Sequence, residues 1–221
     1  MKRVLAFFGA FNPPTIAHIE VARHAMAATG REGVVYVPSK SVYIRDEQGK
    51  DFAYTDAQRL EMLRRAATSR PWMAVTDWEI QSEVQPRTYD TLCHLRRAGY
   101  EPSLLIGSDK LPELEHGWRH VEAIAREFGF VCSSRGADEC ADMIRRDAYL
   151  STLADCIQVV EAPDIFREVS STGVRQRLAR IRALWREVQA LVPDETLPML
   201  EADSANPAER WQIHSAMNGR R

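Results

Sequence analysis

Compact apolar runs alternate with longer stretches of helical period along most of the chain. The runs are RVLAFFG (3–9), GVVYVPS (33–39), WMAVTDWEI (72–80), SLLIGS (103–108), FGFVCSS (128–134) and CIQVVEA (156–162). Between and after them, apolar positions recur at three- and four-residue spacing over 15–29, 55–68, 88–98, 119–126, 137–147 and 172–190. Five of the six runs do not alternate, as expected of strands covered by helices on both faces. The pattern predicts an α/β fold, a doubly wound and mostly parallel sheet closed by a small C-terminal helical part. Two segments break the rhythm. Residues 40–54, KSVYIRDEQGKDFAY, are polar and long for a strand-to-helix connection, which predicts a mobile loop over a site. The stretch after Pro198 is polar and weakly periodic, so 1–200 reads as one domain, with a closing part at about 172–200, and 201–221 as a tail.

Composition narrows the function. With 221 residues and 45% hydrophobic content, the chain can build one sizeable core. A net charge of −2 and a pI near 6.3 give no basic surface for nucleic acid. No run approaches the about 18 apolar residues of a membrane span, and the apolar start is too short for a secretory signal. Cys93, Cys132, Cys140 and Cys156 form no CxxC pair, the usage of a cytoplasmic protein with reduced thiols. Whether the chain forms a homo-oligomer is left open by the sequence.

Ligands of open α/β sheets sit beyond the carboxyl ends of the strands, so the stretches just after each run carry the candidate chemistry. After the first run comes GAFNPPTIAH (9–18). Gly9 permits a turn and close backbone approach, and Pro13 and Pro14 stiffen the loop. Thr15 is a natural N-cap, which puts His18 in the first turn of a helix. There the helix dipole disfavours an imidazolium, leaving either an N–H donor for an anion or a ring packed under the sheet edge. In REVSSTGVRQRL (167–178), Ser170, Ser171 and Thr172 precede a helical stretch, with Arg175 in its first turn. A cation at that end opposes the dipole by about 0.3–1 kcal/mol, a penalty an anion would offset; pairing with Glu168 is the plainer alternative. Two helix starts so equipped suggest one polyphosphate held between them.

Other clusters are weaker. His116 and His120 stand four apart near Glu113 and Glu115, but Gly117 interrupts them and a third ligand is lacking, so no metal site is predicted. RQRLARIRALWR (175–186) places its arginines opposite Leu178, Ile181, Leu184 and Trp185, which reads as a solvated helix face.

GAFNPPTIAH resembles the G-x-F-[DN]-P-x-[HT]-x-x-H signature of the nucleotidylyltransferase superfamily, and SSTGVR (170–175) its S-[ST]-T-x-x-R signature. LLIGSDKL (104–111), GWRHVEAI (117–124), RTYDTLCHLR (87–96) and LVPDETLPML (191–200) are similar to segments of its nicotinate or nicotinamide mononucleotide adenylyltransferases. The resemblance covers about residues 3–200. One departure is Thr15-Ile16-Ala17-His18, where many bacterial members have H-x-G-H; NPPT is closer to the nicotinamide-type branch.

The resemblance implies a Rossmann-like nucleotidylyltransferase fold and adenylyl transfer from ATP to a pyridine mononucleotide in NAD biosynthesis, nicotinate ahead of nicotinamide, with release of pyrophosphate. It implies His18, Thr15 and Arg175 as catalytic. It puts ATP on Gly9, Ala10, Phe11, Thr15, His18, Gly107, Asp109, Ser171, Thr172 and Arg175, and the mononucleotide on Asn12, Lys40, Arg87, Thr88, Trp118 and Arg135. Trp118 would stack on the pyridine ring or else pack in the core. Mg²⁺ would be held mainly by the ATP phosphates. The alternatives are a phosphopantetheine- or CTP-type nucleotidylyltransferase and a non-catalytic nucleotide-binding regulator.

Overall fold

The computed structural model describes residues 1–48, 53–134, 140–166, 168–193 and 197. They belong to two compact units, Met1–Val174 and Arg175–Arg221. In the first unit the chain runs β1 (Lys2–Gly9), α1 (Ile16–Ala28), β2 (Gly33–Pro38), α2 (Ser41–Gln48), α3 (Asp56–Ala67), β3 (Met73–Val75) and α4 (Trp78–Gln81). It continues through α5 (Thr88–Arg97), β4 (Tyr100–Gly107), α6 (Leu114–Gly117), α7 (Val121–Glu127), β5 (Phe130–Ser134), α8 (Cys140–Arg146), α9 (Ala148–Thr152) and β6 (Ile157–Glu161). Short 3₁₀ turns sit at Ser108–Glu113, Ala154–Cys156 and Asp164–Phe166. The last described helix, α10 (Ser171–Gln189), has its first turn in the first unit and its remainder in the second.

All strand pairs are parallel, in the order β3-β2-β1-β4-β5-β6. Side chains alternate between two apolar layers, which explains why the runs read as continuous. Val4, Ala6, Val35, Val37, Leu104 and Ile106 point to one layer with Leu92, Leu95 and Ile124 from α5 and α7. Leu5, Val34, Tyr36, Leu105 and Val131 point to the other, against Ile19 and Ala22 of α1 and Leu63 of α3. The strand order reverses between β1 and β4, so the loops after Gly9 and Gly107 diverge there and leave a crevice.

The structure corrects two expectations. The run 72–80 is a strand only over Met73–Val75; the chain then turns at Thr76–Asp77, where the Thr76 hydroxyl accepts from Trp78 N at 3.3 Å, and forms α4. The segment 40–54 is no loop throughout, because its first half is helix α2. A distant carboxylate starts that helix: Asp56 Oδ1 accepts from Ser41 N at 3.1 Å and from the Ser41 hydroxyl. The tail 201–221 lies outside the described residues.

Candidate active site

The crevice opens into a cleft of about 840 Å³ beyond the carboxyl ends of the strands. Its centre is formed by Gly9 and Ala10 after β1, Ala17 and His18 of α1, and Gly107 after β4. One half is walled by Asp109, Ser133, Pro163, Asp164, Ser170 and Ser171, the other by Ser39, Tyr43, Glu79, Gln85, Arg87 and Thr88; Trp118 also lines it.

His18 is oriented by its own helix start. Thr15 caps α1 in an extended conformation, and the Thr15 backbone N–H donates to His18 Nδ1 at 3.0 Å. The Thr15 hydroxyl also lies 2.7 Å from Nδ1. A main-chain N–H can only donate, so Nδ1 is the acceptor nitrogen and the proton of the neutral ring sits on Nε2. Phe11 meets the imidazole edge-on, with ring centroids 5.3 Å apart, and Tyr36 Oη donates to the His18 carbonyl at 3.1 Å. The ring is therefore held in one tautomer and in one place.

The two signature segments meet. Ser171, the first residue of α10, donates its hydroxyl to the Pro13 carbonyl at 2.7 Å across 158 positions of sequence. Ser170 caps the same helix, accepting from Gly173 N at 3.1 Å. Two helix N-termini thus open toward one cleft, each presenting backbone N–H groups and partial positive charge to an anion.

Other expected residues divide. Gly9, Ala10, Gly107, Asp109, Arg87, Thr88 and Trp118 line the cleft. Trp118 packs on the core and also lines the cleft. At Gly9 a Cβ would come within 3.1 Å of Phe11 Cζ, a tight approach to a buried ring. At Gly107 a Cβ would collide with Asp109 Oδ1.

Phe11 is not a cleft residue: its left-handed φ of 44° turns the ring into the core, where it is 1% exposed. Asn12 is buried, and its side-chain oxygen accepts from Ala53 N and Tyr54 N at 3.3 and 3.2 Å, which ties the loop to the start of α3. Lys40 is not among the lining residues, and its ammonium is taken by the carbonyls of Ser82 and Glu83. Thr172 is not among the lining residues, Arg175 belongs to the second unit, and Arg135 lies outside the described residues.

Sequence reading missed Arg59 and Glu79. Arg59 is fully buried and donates to the Ala10 carbonyl (2.5 Å), the Ser39 carbonyl (2.6 Å) and Asp56 (2.7 Å), clamping the loops after β1 and β2 together. Its signal was a charge on the apolar stripe of α3, next to Leu60 and Leu63. Glu79 lines the cleft at 2% exposure. Burial pushes its carboxyl up to about 7, against the opposing hydrogen bonds from Thr91, Gln85 and Ser39. An acid inside the run WMAVTDWEI was the visible sign.

Residues 6–177 match the Cytidylyltransferase-like family. A probable nicotinate-nucleotide adenylyltransferase of Neisseria meningitidis is 30% identical over 184 residues, covering 81% of this chain and 88% of that protein. A protein of the same description from Exiguobacterium sibiricum is 29% identical over 195 residues, covering 87% and 93%. The nicotinic acid mononucleotide adenylyltransferase of Plasmodium falciparum, solved in complex with NaAD, shares the fold with a TM-score of 0.61 at 18% identity, over 80% of this chain and 83% of that one. The chain belongs to the Cytidylyltransferase-like family of nucleotidyltransferases and, within it, to the nicotinate/nicotinamide mononucleotide adenylyltransferases.

Proposed function

We propose that the chain transfers the adenylyl group of ATP to nicotinate mononucleotide, releasing pyrophosphate and forming the dinucleotide of NAD biosynthesis. The observation that carries this reading is the Ser171–Pro13 bond, which joins the helix start bearing His18 to that of α10 at one cleft. The choice of nicotinate over nicotinamide rests on the curated relatives, two of which are described as nicotinate-nucleotide enzymes.

The substrate phosphate is itself a competent nucleophile, so the protein needs to hold two anions in line and stabilise the charge that develops between them. ATP lies beside Gly107 in the half walled by Asp109, Ser170 and Ser171, its phosphates reaching the N-termini of α1 and α10. The Ser171 hydroxyl already gives its proton to Pro13, so backbone N–H groups are the donors at that turn. His18 Nε2–H donates to the α-phosphate as negative charge grows, and Thr15 keeps that proton on Nε2. The mononucleotide lies in the other half, its ring on Trp118 and its substituent near Thr88 and Arg87. Mg²⁺, when bound, neutralises triphosphate charge. Among the described residues no group of three or more His, Cys, Asp or Glu side chains could hold a metal, and the donors at the two helix starts are amides, hydroxyls and an imidazole. That donor set fits an ion held by phosphate oxygens and water.

The test is pyrophosphate release from ATP with nicotinate mononucleotide, nicotinamide mononucleotide or phosphopantetheine as acceptor. The expected order is nicotinate first, nicotinamide second and phosphopantetheine absent. ATP binding without turnover on any acceptor would make the protein a regulator instead.

A further inference from the structure

We infer that Glu79, which touches no substrate in this reading, is a positioning residue for the mononucleotide half of the cleft, acting through the segment Ser82–Thr88. The inference rests on the function proposed above.

The residues that face the mononucleotide half, Gln85, Pro86, Arg87 and Thr88, belong to a connection and to the first turn of α5. What fixes that connection is Glu79. Its Oε1 accepts from the Thr91 hydroxyl at 2.7 Å, on the second turn of α5. Its Oε2 accepts from Gln85 Nε2 at 2.5 Å, and the Ser39 side chain at the end of β2 also bonds to it. Gln85 passes the tie onward, since its Oε1 accepts from Lys40 N at 2.9 Å. The Lys40 ammonium then holds the Ser82 and Glu83 carbonyls. One buried carboxyl group therefore joins the connection, α5 and β2.

The partners that hold it are all neutral. Burying a carboxylate with no bonded cation is costly, and an apolar residue would fill the same space at less expense. Retaining an acid here makes sense if a fixed backbone position at 85–88 is what the site needs, because two oxygens can take two donors from different elements at once. The position lines a substrate cleft rather than the interior of the sheet, so the effect falls on ligand geometry.

The test is steady-state kinetics of pyrophosphate release for wild type, Glu79→Ala, Thr91→Val and Glu79→Gln, varying each substrate separately. Glu79→Ala and Thr91→Val should raise the KM for nicotinate mononucleotide at least about tenfold, with the KM for ATP unchanged and kcat within about threefold. Glu79→Gln should restore the mononucleotide KM to within about threefold of wild type. It still accepts from Gln85, and the Thr91 hydroxyl can reverse and donate to the Arg87 carbonyl, 3.4 Å away. Thr91→Val keeps shape and adds no charge, so it reads out the same tie even where Glu79→Ala fails to fold. Equal increases in both KM values, or an unchanged mononucleotide KM in Thr91→Val, overturns the inference and leaves the function standing. A wild-type protein without turnover on any pyridine mononucleotide overturns the function and this inference together.

Discussion

The Thr15 backbone N–H donates to His18 Nδ1 at 3.0 Å, so the main chain rather than a second side chain selects the tautomer that points a proton from Nε2. His18→Ala should lower kcat by about a hundredfold or more while ATP affinity stays near wild type, the scale of losing one oriented donor to a developing charge. Thr15→Ala keeps the N–H and should cost kcat less than about tenfold, together with about 1 kcal/mol of stability from the lost cap. Rapid-quench kinetics and ATP titrations check both. A Thr15→Ala loss as large as that of His18→Ala would show the hydroxyl, not the main chain, to be the orienting group.

Glu79 gives the fold a pH signature. Its carboxyl is raised from 4.5 to about 7, chiefly by burial, so folding favours the protonated form. The stability this provides is complete below pH 4.5, and it is lost as pH rises toward and through about 7. Its full size is on the order of 3 kcal/mol. Glu79→Gln should therefore differ little from wild type in melting temperature at pH 5 and exceed it at pH 8. Scanning calorimetry at the two pH values measures this, and a difference independent of pH would contradict it.

The Arg59–Asp56 pair titrates the opposite way. Burial pushes the Asp56 carboxyl up, but the Ser41 hydroxyl and the Arg59 guanidinium outweigh it and hold it below its ordinary value of 3.8. Its contribution is present above that value and disappears as pH falls through the lower, folded one. Removing Asp56 strands a buried charge, and removing Arg59 leaves the Ala10 and Ser39 carbonyls without their donor, so Arg59→Met should cost about 3 kcal/mol in denaturant unfolding. Asp56→Asn should cost less, since the Ala10 and Ser39 carbonyls still receive the guanidinium. An Arg59→Met protein as stable as wild type would remove the clamp from this account.

The two halves of the cleft should separate kinetically. Trp118→Ala removes a ring that lines the cleft and should raise the mononucleotide KM by about tenfold, with the ATP KM unchanged. Gly107→Ala drives a Cβ into Asp109 Oδ1 and should raise the ATP KM instead. Reversal of the two effects would exchange the half-sites.

What the sequence made legible was local. Capping needs only neighbours, so Thr15 and His18 could be placed from GAFNPPTIAH, and the buried strands could be read from their apolar runs. What it hid depended on contacts far along the chain. Helix α2 starts on the carboxylate of Asp56, which lies fifteen residues on. Lys40 reads as a mononucleotide contact in the sequence, yet its ammonium is held by the Ser82 and Glu83 carbonyls. Phe11 reads as an ATP contact in the sequence, yet a left-handed backbone turns its ring inward. Glu79 was concealed because its apolar neighbours Trp78 and Ile80 made its segment resemble a strand, although β3 ends at Val75.

The Ser171–Pro13 bond has a consequence for synthesis of the protein. A ribosome that has made all six strands has supplied every layer of the sheet, yet the cleft still lacks its last wall. Nascent chains ending before residue 171 should thus fold without the ability to retain nucleotide, so a truncation series would show ordered structure arriving earlier than ligand capture.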